Sequence, residues 1–293
     1  MHIAVLLAGL TGVLGKLITL NEGLLVWYRL MLTAVPLWVL APFQRNTFHL
    51  QRKDTLSIFG VGAIAALHWV AFYGSIKYSN VSVGLLCFSA VGFFTALIEP
   101  LVFRHRIDWM ELFLGLLVIV GIFLIFQVDP HYKTGILIGL VSSLLGSLFP
   151  VLNKRILERV PAATVTRYEL TGGFFFLSIL LPFYLRWFPT TKVLPGLEDW
   201  LWLLVLSLAC TVLAFTLSMN ALKRLSAFTV NLSYNLEPIY GILLAFVLFR
   251  EDKYMHGGFY IGFSLIFLSI GLQMLRLWRK QTSPIDGVEN KFQ

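Results

Sequence analysis

Residues 232–252 read "LSYNLEPIYGILLAFVLFRED". The run is apolar enough to cross hydrocarbon, yet its interior carries the carboxylate of Glu237 directly before Pro238. A charge at the centre of a membrane helix costs roughly 2.5 to 3.5 kcal/mol on insertion scales, so it marks a partner or a wet cavity. Pro238 has no N–H, which leaves the carbonyl of Tyr234 without its helical donor. Asn231 and Asn235 share a neighbouring face, and Tyr234 and Tyr240 flank Glu237 at i−3 and i+3. Donors, acceptors and aromatic faces therefore meet at one depth, either as a site or as a helix crossing tied by a neutral acid.

The rest of the chain sets that depth. Of 293 residues 58% are apolar and 13% charged, too hydrophobic a balance for a soluble domain. Runs able to cross ~30 Å of hydrocarbon are expected over 2–19, 24–41, 55–76, 80–103, 109–127, 133–152, 162–186, 199–219, 225–249 and 257–278. No ten-residue alternating strands occur, which excludes a barrel; the reading is an all-α integral membrane protein with ten transmembrane helices. The first apolar run follows Met1 and His2 with no basic leader before it, so it is read as a retained helix. Cys87 and Cys210 fall mid-helix, where small packing residues are expected before a disulfide or metal site. Trp109, Trp187, Trp200, Trp202 and Trp278 sit where helices should meet the interface.

The chain repeats. Shifted by 146, Ser75 to His105 lies over Ala221 to Glu251 without a gap, placing Lys77 on Lys223, Leu86 on Leu232, Leu97 on Leu243, Phe103 on Phe249 and Arg104 on Arg250. A second register lays "AVLLAGLTGVLG" (4–15) over "GILIGLVSSLLG" (135–146). Two five-helix units result, 1–130 and 131–280, with a polar tail over 281–293 read as disordered. Five is odd, so the second unit enters the membrane from the opposite side. Inverted repeats of this kind build a central site that either face can reach. Small residues at helical spacing, such as Ala4, Ala8 and Gly12, Gly62 and Ala66, or Gly258 and Gly262, would let helices approach closely, though ordinary membrane packing uses them too.

With its late "LSYNLEPIYGILLAFVLFRED" helix, this arrangement resembles the EamA family of the drug/metabolite transporter superfamily. Leu236, Glu237, Pro238, Leu243, Leu244, Ala245, Leu248 and Glu251 match that family's ninth-helix pattern. The first-half counterpart, "SAVGFFTALIEPLVFRHRID", departs from it: Val91 and Gly92 stand where Glu-Pro would be, and Glu99-Pro100 comes eight residues later. The resemblance implies a transporter fold and a secondary carrier of small organic metabolites, with export of amino acids or related compounds the leading direction.

The remaining intramembrane polar residues sort by position. Arg29 and Glu169 occupy similar places in the two units, Arg29 toward the outer side and Glu169 toward the cytoplasm, as gate or substrate residues or as partners within their own halves. His68 and Trp69, with Phe72 and Tyr73, give the third helix a titratable, aromatic stretch; the imidazole is a cavity candidate or a bond to a neighbouring helix. Lys16 can snorkel to headgroups or reach Glu22, and Glu99 can reach Arg104 or Arg106. The candidate substrate-binding set is thus Glu237, Asn231, Tyr234, Asn235, His68, Trp69, Arg29 and Glu169. If substrate or a conformational change moves the Glu237 proton, protons become the coupling ion.

No Walker loop, H-E-x-x-H, C-x-x-C or paired-carboxylate motif is present, so no cofactor, metal or ATP drive is expected. An intramembrane enzyme acting on a lipid is the alternative, and it would need a convergent nucleophile and base. A receptor or scaffold would have no use for a costly midplane acid. The net charge of +8 is mostly topology and lends nothing to nucleic-acid binding, which needs a basic face on a water-exposed domain.

Topology follows from the links. With the N-terminus inside, Arg45, Arg52, Lys53, Arg104, Arg106, Lys154, Arg155, Arg159, Lys223, Arg224, Arg276, Arg279, Lys280 and Lys291 are cytoplasmic, fourteen in all, against Lys77, Lys133, Arg186, Lys192, Arg250 and Lys253 outside, six. The positive-inside rule then puts both termini in the cytoplasm and the protein in the cytoplasmic (inner) membrane. An alkaline phosphatase fusion at residue 285 should accordingly be inactive and one beside Lys192 active; the reverse pattern would invert the topology.

Overall fold

The computed structural model describes residues 2–39, 50–128, 130–225, 227–234, 236–255 and 257–282. Asn235, the Asn231 side chain and residues 283–293 lie outside the described set, and with them most of the tail read as disordered. Among the described residues there are thirteen α-helices and no strand. In chain order they are α1 (His2–Leu17), α2 (Glu22–Val39), α3 (Arg52–Tyr78), α4 (Val81–Phe88), α5 (Val91–Phe103), α6 (Trp109–Val128) and α7 (Lys133–Leu157). The rest are α8 (Ala162–Trp187), α9 (Leu197–Ser207), α10 (Ala214–Leu222), α11 (Ala227–Tyr234), α12 (Glu237–Phe249) and α13 (Gly257–Thr282). A π-helical turn, Leu208–Leu213, joins α9 to α10.

Among the described residues six helical stretches are long and apolar enough to cross a membrane: α3, α4 with α5, α7, α8, α9 through α10, and Gly257–Arg276 of α13. Shorter apolar helices cover Ile3–Leu17, Trp109–Ile125 and Glu237–Phe249. Large exposed hydrophobics such as Phe123, Ile179, Phe183 and Val247 cover the outside, as a lipid-facing bundle requires.

The repeat is visible at residue resolution. An eight-residue helix, a break, a 13-residue helix and a left-handed arginine recur as α4, α5 and Arg104 and as α11, α12 and Arg250. Positions 81 and 227, 91 and 237, and 104 and 250 are each 146 apart, the spacing found in the sequence. Arg104 (φ 57°) and Arg250 (φ 55°) are the described non-glycine residues in the left-handed region, and each donates its N–H back to close the helix, to Pro100 and Phe246. The two matching helix pairs meet end to start, the chain end of α12 at the chain start of α4: Glu251 accepts from the N–H groups of Val81 (3.1 Å) and Ser82 (2.9 Å) and from Ser82 Oγ (2.7 Å).

Two expectations change here. The ninth expected segment is not one kinked helix, since α11 ends at Tyr234 and α12 starts at Glu237 with Pro238 in its first turn, where a missing N–H is tolerated. The first-half segment breaks at the same register, at Ser89 and Ala90, without a proline. The break therefore belongs to the repeat, and the proline only accommodates it. The eighth segment, expected as plain α-helix, contains the π-turn.

Glycines set the closest crossings. A Cβ on Gly62 of α3 would lie 2.1 Å from the Glu169 carbonyl oxygen and 2.8 Å from the Gly173 nitrogen of α8, and one on Gly262 of α13 would lie 2.4 Å from the Gly121 oxygen of α6. Gly60, on the same helix as Gly62, has nothing within 4 Å of its would-be Cβ. Gly62→Ala should therefore lower stability by about 1 to 3 kcal/mol, read as a fall in the melting temperature of the purified protein, while Gly60→Ala should be neutral or mildly stabilising. Equal behaviour of the two would remove the α3–α8 contact from the account.

Candidate functional site

The repeat interface encloses a cavity of about 100 Å³. Its walls come from α1 (Thr11), α2 (Arg29), α3 (His68, Trp69, Phe72), α4 (Phe88), α7 (Phe149), the π-turn (Cys210, Thr211), α10 (Phe215, Ser218), α11 (Tyr234) and α12 (Glu237). Both units contribute. Of the residues expected from sequence, Glu237, Tyr234, His68, Trp69 and Arg29 thus surround one space. Glu169 is not in this wall; it is fully buried where α8 meets α7, accepting a hydrogen bond from Asn153 Nδ2 at 3.1 Å.

Arg29, 2% exposed, is the most constrained charge in the wall. Its Nε donates to Thr211 Oγ1 (2.7 Å) and one terminal nitrogen donates to Tyr73 Oη (2.7 Å). The guanidinium lies 4.2 Å from the centre of the Trp69 ring, a cation–π contact. Thr211 in turn donates to the carbonyl of Leu206, five residues back, in the register of the π-turn. The irregular turn thereby presents a hydroxyl that accepts from arginine, the functional setting in which π-bulges recur. All of these partners are neutral, so the positive charge faces the cavity uncancelled by an acid in contact with it.

Glu237 faces the same space from α12, 4% exposed. The helix carrying it is clamped from behind: a Cβ on Gly9 of α1 would meet the Glu237 carbonyl oxygen at 3.1 Å, and one on Gly241 would meet Leu85 at 2.2 Å. With no room to slide, α12 holds its first turn in place. Tyr234, on the other side of the break, shares a short hydrogen bond with Ser218.

His68 satisfies both readings offered for it. Its Nδ1 lies 2.9 Å from the Ser142 carbonyl and 3.0 Å from Ser142 Oγ, and Ser142 Oγ lies 3.1 Å from the His68 carbonyl, tying α3 to α7. The ring also lies among Phe72, Phe88 and Phe149, with centroids 6.2, 5.3 and 5.7 Å away. The cavity thus combines one cation, one acid, the four hydroxyl side chains of Thr11, Thr211, Ser218 and Tyr234, the His68 imidazole and an aromatic lining. Among the described residues no three His, Cys, Asp or Glu side chains converge on a metal position.

Charged hydrogen bonds tie the two units together at one end of the bundle. There Glu251 grips the start of α4, Asp199 accepts from the Thr19 N–H (2.8 Å) and from Lys192 (2.7 Å), and Lys77 donates to the carbonyls of Ile18 and Leu20. Toward the other end the wall continues past Ser218 to Leu222 and Val230, close to the ends of α10 and α11. At that end Lys154 donates to the carbonyls of Leu222 and Leu225, both at 2.6 Å.

Sequence reasoning missed Thr211, Ser218 and Phe149. The hydroxyls are interchangeable in sequence with those that bond their own helix, as Thr216 does to Val212, and Phe149 sits in an apolar run. An arginine buried without a nearby acid was the signal that could have prompted a search for neutral partners.

Comparison with known proteins agrees with this architecture. One solved crystal structure aligns over 96% of this chain and 97% of its own at a TM-score of 0.64; at 18% identity it shows a shared fold and nothing of activity. No curated protein matches the sequence. The model of the EamA-like transporter family matches residues 1–127 and again 133–275, one match to each repeat, and the chain belongs to that family of membrane transporters.

Proposed function

We propose that the protein is a secondary carrier of small zwitterionic metabolites, amino acids or close relatives, working by alternating access across ten membrane crossings in two inverted five-helix units. The observation that carries this reading is the pairing of Arg29 and Glu237 across one aromatic-lined cavity between the units. An amino acid brings a carboxylate for the guanidinium and an ammonium for the carboxylate, and charge-assisted hydrogen bonds of this kind contribute about 1.5 to 3 kcal/mol each. Phe88, Phe149 and Phe215 leave an apolar wall for a side chain. The volume is well below the ~300 to 1,000 Å³ typical of drug-sized sites.

Alternating access is supported by the unequal ends. The Glu251 end is bolted by charged hydrogen bonds between the units, whereas the wall reaches toward the Lys154 end. By the charge count of the links the Lys154 end is cytoplasmic, so the wall extends toward the side from which an exporter loads. His68, Trp69 and Tyr234 shape the pocket, and Asn231 and Asn235, adjoining the helix break, are proposed as further contacts. Proton coupling would run through Glu237 if substrate binding displaces its proton.

The charge assignment is testable in proteoliposomes. Glu237→Gln keeps size and hydrogen bonding and should cut uptake of α-amino acids roughly tenfold or more. Deaminated acids of the same side chain should be affected little. Arg29→Lys, which cannot reproduce the planar fork or its stacking on Trp69, should impair both classes. Unchanged, normally pH-dependent amino-acid flux in well-folded Glu237→Gln would leave Glu237 as helix packing.

A further inference from the structure

The intramembrane carboxyl outside the cavity calls for its own explanation. Glu169, Asn153 and Thr166 are each at most 1% exposed, at the junction of α7 and α8. Glu169 Oε1 accepts from Asn153 Nδ2, but Glu169 Oε2, Asn153 Oδ1 and Thr166 Oγ1 have no hydrogen-bond partner among the described residues. Thr166 precedes Glu169 by three residues, so both side chains lie on one face of α8. A half-satisfied polar cluster is costlier than an apolar one, and it persists where something else completes it. An ionised carboxylate buried with a single hydrogen bond would cost far more, so positive charge has to accompany it.

The surrounding charges do not supply it. On α2, Arg29 is engaged with Thr211 and Tyr73, and Glu22 bonds Tyr184 at the far end of α8. On α3, His68 bonds Ser142, Asp54 pairs with Arg159, and Arg52 and Lys53 are exposed. On α7, Lys154 caps carbonyls of Leu222 and Leu225, and Arg155 is exposed. Arg167 of α8 lies over the Trp38 ring at 5.5 Å, and α10 carries no titratable side chain.

We propose that Glu169, with Asn153 and Thr166, forms a cation site separate from the substrate cavity, taking a proton or a sodium ion as a second coupling ion beside any proton exchanged at Glu237. Three unpartnered buried oxygens are what either occupant would satisfy: a proton turns the Glu169 carboxylate into a neutral acid that can donate, and sodium takes oxygen ligands. The site can report to the cavity through α3. Gly62 packs against the Glu169 carbonyl, and Trp69, seven residues along the same helix, lies under Arg29. Occupancy that shifts the α3–α8 crossing would therefore move the cavity wall. The coupling role rests on the transport reading; the cation site does not.

The test reads binding and needs no flux. N,N′-dicyclohexylcarbodiimide reacts with a carboxylic acid as its nitrogen takes the acid proton and its central carbon bonds the carboxyl oxygen, so the ionised or metal-bound form is spared. The full chain in liposomes is treated over a range of pH at fixed ionic strength, in sodium or in choline, and modification at Glu169 is read by peptide mass spectrometry. A proton site predicts modification that falls as pH rises and ignores sodium. A sodium site predicts protection by sodium that choline cannot give. In either case Thr166→Val should move the half-maximal proton or sodium concentration roughly tenfold. Glu169 modification, absence included, that is indifferent to both pH and sodium would make it a fixed structural acid and overturn the proposal. A carrier that binds the cation yet moves no amino acid would instead count against the transport reading alone.

Discussion

The structure is organised around a guanidinium that lipid cannot solvate. Arg29 is buried at the meeting of α2, α3 and the π-turn, and its contacts come from two elements other than its own: Tyr73 and Trp69 from α3, Thr211 from the turn. Removing any one would leave a buried cation under-satisfied, so α2, α3 and the turn are fixed relative to one another. The π-register at Leu208–Leu213 follows from this demand, because it aims a hydroxyl at Arg29 while Leu206 accepts the hydroxyl's own proton. What remains of the positive charge is directed at the space that Glu237 faces.

Irregular backbone in a membrane is tolerated where it is buried in protein or lines a cavity, and the irregularities here obey that rule. The break between α11 and α12 puts Tyr234 and Glu237 on the cavity wall, and the break between α4 and α5 follows Phe88 on the same wall. Glycine contacts at Gly9 and Gly241 hold α12 against α1 and α4, so the first turn of the second half-helix is rigid where its acid is presented. Rigid half-helices, a mid-depth cavity and one bolted end are the physical parts that a two-state carrier needs.

Much of this was legible in the sequence, for reasons that particular residues make plain. The hydrophobic runs and the 146-residue shift mark the repeat, because buried charge is expensive and matching Arg104 and Arg250 caps survive in both halves. Glu237, Tyr234, His68 and Trp69 stood out as polar or aromatic residues near mid-depth, and Arg29 as an intramembrane charge toward the outer side. Tertiary placement was not legible. Glu169 has the same credentials as Arg29 in sequence, yet α8 directs it at Asn153 and away from the cavity. Thr211 looks like any helical threonine until the π-turn rotates it toward arginine. The first-half break, at Ser89 and Ala90, carries no proline, so nothing local announced it.

Transport of zwitterionic metabolites is proposed to run through the space lined by Arg29 and Glu237. Counterflow by the purified wild-type chain in liposomes, over a labelled panel of amino acids, organic acids, amines and sugars, tests it most directly. Saturable, stereoselective exchange is expected for members of the amino-acid class and little for the singly charged or neutral compounds. Exchange of no panel member above protein-free liposomes, or a preference for sugars or simple amines over amino acids, would contradict it.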